Sequence, residues 1–134
     1  MKKSSYIVFY GSLMKGFSTL KQLGLEETIS FLGCVKLVGT LYDLGDYPGY
    51  TECGSTAIKA ELFKIRDPSC LLLLDEFEGY RAHNASASLY LRRVKEVLFM
   101  DKKVESFVYI YNSITEGYRT IDHGDWIRHL AQRK

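Results

Sequence analysis

Five consecutive residues, Tyr6-Ile7-Val8-Phe9-Tyr10, are β-branched or aromatic, and the run ends abruptly at Gly11-Ser12. Its length is that of a strand, and its lack of polar alternation predicts burial on both faces. Gly11 lets the backbone turn where a side chain would obstruct it, and Ser12 adds a small hydroxyl. Gly16 closes the loop before the helix-compatible Ser18-Thr19-Leu20-Lys21-Gln22-Leu23. The rest of the chain is therefore built around a core strand that delivers a tight loop to a short helix. In such a turn successive backbone N–H groups point into one concavity, suited to a carboxylate, a phosphate or a developing oxyanion. The loop is a candidate anion cradle, with an ordinary glycine turn as the plain alternative. Gly11 to Gly16 has the spacing of a P-loop, but Phe17 stands where the phosphate-binding Lys belongs, which argues against nucleoside triphosphates.

Further along, residues 28–44 form a long extended region. Ile29, Phe31, Val35 and Leu37 are followed by Val38, Leu41, Tyr42 and Leu44 in a shifted phase. The shift around Gly33 and Gly39 predicts a bulged or bent strand, as a closed or partly closed sheet requires. Pro48-Gly49 reads as a turn whose flanking Tyr47 and Tyr50 supply an aromatic wall. Residues 57–65 alternate as a strand. Asp67-Pro68 starts a helix over residues 68–78, with Asp67 as N-cap and Gly79 as terminator. Residues 88–100 and 104–111 read as adjacent antiparallel strands joined at Asp101-Lys102-Lys103. Gly124-Asp125-Trp126 opens a last short helix with Asp125 as N-cap and Trp126 as core anchor. The expected architecture is α+β: a bent, mostly antiparallel sheet of about six strands with short helices at its ends.

The chain has 134 residues, 46% hydrophobic and 25% charged, the balance of a globular protein, and one domain over residues 1–134 is expected. A formal charge of +2, with basic residues scattered apart from Arg92-Arg93 with Lys95 and residues 128–134, argues against a nucleic-acid partner. Cys34, Cys53 and Cys70 are odd in number and lack metal-binding spacing, so reduced, partly buried thiols in the cytoplasm are expected. The apolar run behind Lys2 and Lys3 is too short for a signal peptide or a membrane span. His83, His123 and His129 read as surface residues.

One acid stands out. In the helix over residues 68–78, Leu71, Leu74 and Phe77 define an apolar face, and Glu78 projects between the directions of Leu71 and Leu74. It also lies in the last turn, where the helix dipole disfavours negative charge. Both effects predict a raised pKa and a carboxyl that accepts and returns a proton near neutrality. The alternative is a Glu78 that curls to solvent or pairs with Arg81 or Arg92. Asp75 lies at the margin of the face and Glu76 points away. Tyr90 and Arg92 share a strand face and read as packing with a surface salt bridge, with substrate contact as the alternative. Residues 81–88 are a polar loop placed as a candidate lid.

Tyr10-Gly11-Ser12-Leu13, Leu74-Asp75-Glu76-Phe77-Glu78-Gly79-Tyr80, Ser88-Leu89-Tyr90-Leu91-Arg92 and Gly124-Asp125-Trp126 together resemble the gamma-glutamyl cyclotransferase-like family, in that family's order and across nearly the whole chain. The resemblance implies a small mixed barrel with short helices. It implies cyclisation of a small-molecule gamma-glutamyl amine, amino acid or peptide to 5-oxoproline, without a cofactor or metal, by a monomer or weak homodimer. It further implies Glu78 as acid/base and Tyr10, Gly11, Ser12 and Leu13 as the substrate-holding loop. Tyr47 and Tyr111 are candidates for the pocket wall, with core packing as the alternative. The Gly124-Asp125-Trp126 signature is nearer to bacterial members of unassigned substrate, and a non-catalytic binding module on the same fold is the competing expectation.

Overall fold

The computed structural model describes residues 4–133, so Lys2, Lys3 and Lys134 lie outside the described residues. Strand β1 (Tyr6–Phe9) lies inside a six-stranded sheet of order β4-β5-β1-β3-β2-β6, with β2 (Ile29–Asp43), β3 (Pro48–Ile65), β4 (Tyr90–Phe99), β5 (Lys102–Tyr111) and β6 (Arg119–Thr120). β1 runs antiparallel to β3 and parallel to β5. The other pairings are antiparallel. Ile7, Val8 and Phe9 are all buried, as an uninterrupted apolar run demands. Three short helices, α1 (Thr19–Gln22), α2 (Cys70–Glu78) and α3 (Trp126–Gln132), complete an α+β half-barrel.

The sheet curls because β2 is irregular in two places, between Phe31 and Gly33 and between Gly39 and Thr40, where its register against β3 shifts. The curl brings β4 across to β3: Lys95 Nζ lies 2.6 Å from Glu52 Oε2. The inward phase of β2 nevertheless continues through Leu37 to Leu41, leaving Val38 58% exposed, so the expected switch of phase at Val38 does not occur.

Two expected turns are displaced. Pro48 and Gly49 are the first residues of β3, paired with Asp43 and Tyr42, and the chain reverses one step earlier, where Leu44 N–H donates to the Tyr47 carbonyl at 3.1 Å. Pro48 opens a strand, where its missing N–H costs no ladder bond. The β4–β5 hairpin turns at Met100-Asp101, both at positive φ (51° and 65°), the conformation a two-residue hairpin needs. Lys102 and Lys103 already belong to β5.

Helix α2 begins two residues later than expected. Asp67 accepts from Ser69 N–H at 3.0 Å, forming an Asx turn ahead of the helix, and Ser69 occupies the cap position. Gly79 ends it at φ 69°, with Tyr80 N–H donating back to the Asp75 carbonyl at 2.9 Å. Asp125 caps α3 by accepting from Arg128 N–H, and Trp126 is 1% exposed in the core. His129 is half-buried on Asp43, 2.7 Å from Nε2 to Oδ2, and His123 Nδ1 accepts from Asp125 N–H, so only His83 of the three is a surface residue. The cysteines are free, but only Cys70 is buried; Cys34 and Cys53 are exposed. No helix of the described residues is long and apolar enough to cross a membrane.

Candidate active site

The chain leaves β1 through Tyr10, Gly11, Ser12 and Leu13, and these four residues form one wall of a cavity of about 290 Å³. That volume is at the small end of the roughly 300–1,000 Å³ usual for small-molecule sites. Met14 N–H donates to the Gly11 carbonyl at 3.0 Å, closing the turn, and Lys15 N–H donates to Glu61 Oε1 at 2.7 Å, tying the loop to β3. Gly11 is required by its neighbour, since a Cβ there would lie 2.8 Å from Pro48 Cγ. The N–H groups of Gly11, Ser12 and Leu13 donate to no described residue, which leaves three consecutive amides unused beside the cavity.

Opposite stands the end of α2. The buried face of this helix is Cys70 and Leu74, and one further step of four residues reaches Glu78, which lines the cavity. Phe77 is 46% exposed and lines the same cavity, so it is not part of the apolar face expected of it. Burial alone raises the Glu78 pKa from 4.5 to about 8, since no cation or hydrogen-bond donor of the described residues offsets it. The expected partners are elsewhere. Arg92 Nε sits 3.1 Å from Asp75 Oδ1 and its guanidinium stacks over Phe107, so its ion pair is half-buried rather than a surface bridge.

Tyrosines frame the space between. Tyr10 Oη donates to the Tyr109 carbonyl at 2.7 Å and accepts from Tyr50 N–H at 3.2 Å. Tyr90 Oη donates to the Pro48 carbonyl at 2.7 Å, and Tyr109 Oη donates to Asp75 Oδ1 at 2.7 Å. Burial pushes all three phenols above their ordinary pKa, with Glu78 next in effect at Tyr10, Tyr10 at Tyr90 and Asp75 at Tyr109, so they remain neutral. Tyr47 lines the rim and is 40% exposed. Tyr111 does not line the cavity: its ring stands behind that of Tyr90, 5.5 Å between centroids, and against Gly49. It shares a strand face with Tyr109, but lies one pair further along, level with Tyr90. Among the lining residues that the sequence did not place there are Tyr109, Asp46, Leu89 and Phe77, while Tyr90, read as packing or substrate contact, stands on the wall. A spacing of two on one strand was the available signal for Tyr109, whereas Asp46 offered none. No group of three or more potential metal-ligating side chains occurs among the described residues.

A family profile described as gamma-glutamyl cyclotransferase, AIG2-like matches residues 7–128. An AIG2-like protein from Mus musculus has a similar structure, with a TM-score of 0.72 at 20% identity, over 93% of this chain and 89% of that one. The protein ytfP from Escherichia coli aligns with a TM-score of 0.63 at 26% identity, over 93% and 98%. An uncharacterized protein from Pyrococcus horikoshii gives 0.63 at 21%, over 98% and 100%. No curated protein sequence matches the chain.

Proposed function

The chain belongs to the family described as gamma-glutamyl cyclotransferase, AIG2-like, and on that premise we propose that it converts a gamma-glutamyl amine, amino acid or peptide to 5-oxoproline and a free amine, with Glu78 as acid/base. A gamma-glutamyl compound carries its own nucleophile. Its α-nitrogen attacks the γ-carbonyl carbon, a five-membered ring closes, and the bond from that carbon to the leaving nitrogen breaks. Two protons leave the α-ammonium over the cycle and two reach the departing amine. A carboxyl that takes and returns each of them ends unchanged, so no outside acid or base is consumed.

The observation that carries this reading is that Glu78, with its pKa raised to about 8, and the unused amides of Gly11, Ser12 and Leu13 border one cavity. A carboxyl titrating there is near the optimum for a proton carrier at neutral pH, a role worth about 10²–10⁴-fold. The amides suit the substrate α-carboxylate or the oxyanion that forms at the γ-carbon. Folding the substrate into a ring-closing conformation exploits intramolecularity, for which effective molarities of about 10⁵–10⁸ M are the precedent. Tyr10, Tyr90 and Tyr109, fixed by their own hydrogen bonds, shape the wall.

The test is 5-oxoproline release from a panel of gamma-glutamyl conjugates. Some member is expected to turn over, and Glu78→Gln to lower that rate at least about 10²-fold. Full activity in the variant refutes Glu78 as the proton carrier. Ligand-dependent thermal stabilisation with no turnover across the panel would instead identify a binding module.

A further inference from the structure

Of all the Asp, Glu, Lys, Arg and His residues described, Glu61 is the one that is buried, at 6% exposure, and the chemistry above makes no use of it. It stands on β3 opposite Phe9 of β1 and Cys34 of β2, and it does not line the cavity. No ion pair of the described residues includes it. Its Oε1 accepts from Lys15 N–H at 2.7 Å. Burying a carboxyl is costly, and a single hydrogen bond offsets only part of that cost. The sheet itself has no need of it, since the adjacent Ala60 and Leu62 on β3 are fully buried apolar residues. What the carboxyl adds is a fixed point for the loop above it.

That loop is held at both ends. At its start Tyr10 Oη donates to the Tyr109 carbonyl and accepts from Tyr50 N–H; at its far end Glu61 takes Lys15 N–H. Between them Met14 N–H closes on the Gly11 carbonyl at 3.0 Å. Of the consecutive amides from Gly11 to Lys15, the last two are thus committed to the shape of the loop, and the first three are left beside the cavity. Buried Leu13 and Met14 keep the loop seated, but apolar packing is non-directional and leaves the peptide planes free to turn. We propose, resting on the cyclotransferase reading above, that Glu61 is a positioning residue: by holding Lys15 N–H it keeps the Gly11, Ser12 and Leu13 amides aimed at the substrate α-carboxylate, without touching the substrate itself.

Two variants test this. Glu61→Leu removes the acceptor and fills its volume, whereas Glu61→Gln keeps an oxygen that can accept the same bond. On a gamma-glutamyl conjugate that turns over, Glu61→Leu is expected to raise KM about tenfold with kcat within about twofold, because the amides hold the carboxylate equally in ground and transition states. Glu61→Gln is expected to keep the parental KM within about twofold, and both variants to unfold within about 4 °C of the parent. An unchanged KM in Glu61→Leu, a loss confined to kcat, or a KM that Glu61→Gln fails to preserve overturns the proposal. Backbone NMR order parameters need no turnover. At Ser12 and Leu13 they are expected to stand near about 0.85 in the parent and in Glu61→Gln, and to fall toward about 0.6 in Glu61→Leu. That pattern with an inert panel would uphold the anchoring of the loop and defeat the cyclotransferase reading alone; order parameters unchanged in Glu61→Leu would defeat the anchoring whatever the panel shows. Should Glu61→Leu not fold, hydrogen exchange at Lys15 decides: slow exchange in the parent and in Glu61→Gln upholds the anchor, and exchange as fast as that of an exposed amide overturns it.

Discussion

Glu78 holds its proton because burial withholds solvation from the charged form, and that has two measurable consequences. Titrated directly by carbon NMR of a labelled side chain, its carboxyl should show a midpoint near 8, and a midpoint near 4.5 would remove the basis for its assigned role. The second consequence is in stability. The folded state keeps a proton that the unfolded chain loses near 4.5, so stability falls as pH rises from about 4.5 to about 8 and levels off above. Glu78→Gln should abolish that slope. At pH above 8 the variant should be more stable than the parent, by roughly 2–4 kcal/mol in denaturant titrations. A variant less stable than the parent at every pH would mean that the carboxylate is stabilised by something other than water. The position of this acid was legible, because helical spacing from Leu74 leads directly to it. The exposure of Phe77 was not, since periodicity gives a direction around the helix but not what lies beyond its last turn.

At the scale of the element, what aims Glu78 is the seating of α2 against β4 and β5. Asp75 joins all three: it accepts from Tyr109 on β5 at 2.7 Å and faces Arg92 on β4 at 3.1 Å. Burial raises the Asp75 pKa, and Tyr109 and Arg92 counteract that only in part. Asp75 does not line the cavity, so its effect on the chemistry would run through the orientation of the helix. Asp75→Asn keeps a side-chain acceptor for Tyr109 but leaves Arg92 without its counter-charge. The expected outcome is destabilisation of roughly 1–3 kcal/mol, read from thermal unfolding. A severalfold fall in kcat should accompany it, with KM little changed, because a small displacement of a proton carrier is costly. Unaltered kcat in a destabilised variant would restrict Asp75 to a structural part. Residue spacing placed Asp75 at the edge of the helix face, and the partner strand was unreadable because it depends on the β4–β5 register. The turn beside the cavity shows the same limit. Pro48-Gly49 looks like a turn by composition, yet pairing with Asp43 and Tyr42 draws both residues into β3 and moves the reversal to residues 44–47, which is how Asp46 reaches the rim.

Taken as a whole, the molecule depends on a curl that two irregularities in β2 permit, and Gly33 and Gly39 marked where they fall, although the inward phase runs on through Leu37 and Leu41. What no local pattern disclosed was the order of strands, with β1 between β3 and β5 and parallel to the latter, because such pairings join residues as distant as Val8 and Val108. The same long-range closure applies to the C-terminal helix. Trp126 is buried in the common core, stacked on His129 with 5.7 Å between ring centroids, while His129 and Arg133 hold Asp43 and Gly45 at the turn that lines the cavity. If α3 is part of one cooperative unit, it cannot release before the sheet does. Trp126 is the sole tryptophan, so its emission reports this docking and far-UV circular dichroism reports the remainder. The two signals should give coincident urea transitions. An emission change that precedes the loss of ellipticity would show α3 undocking from a persistent sheet, and with it the cavity turn would lose its outer support while Glu78 and the Gly11–Leu13 loop stayed folded.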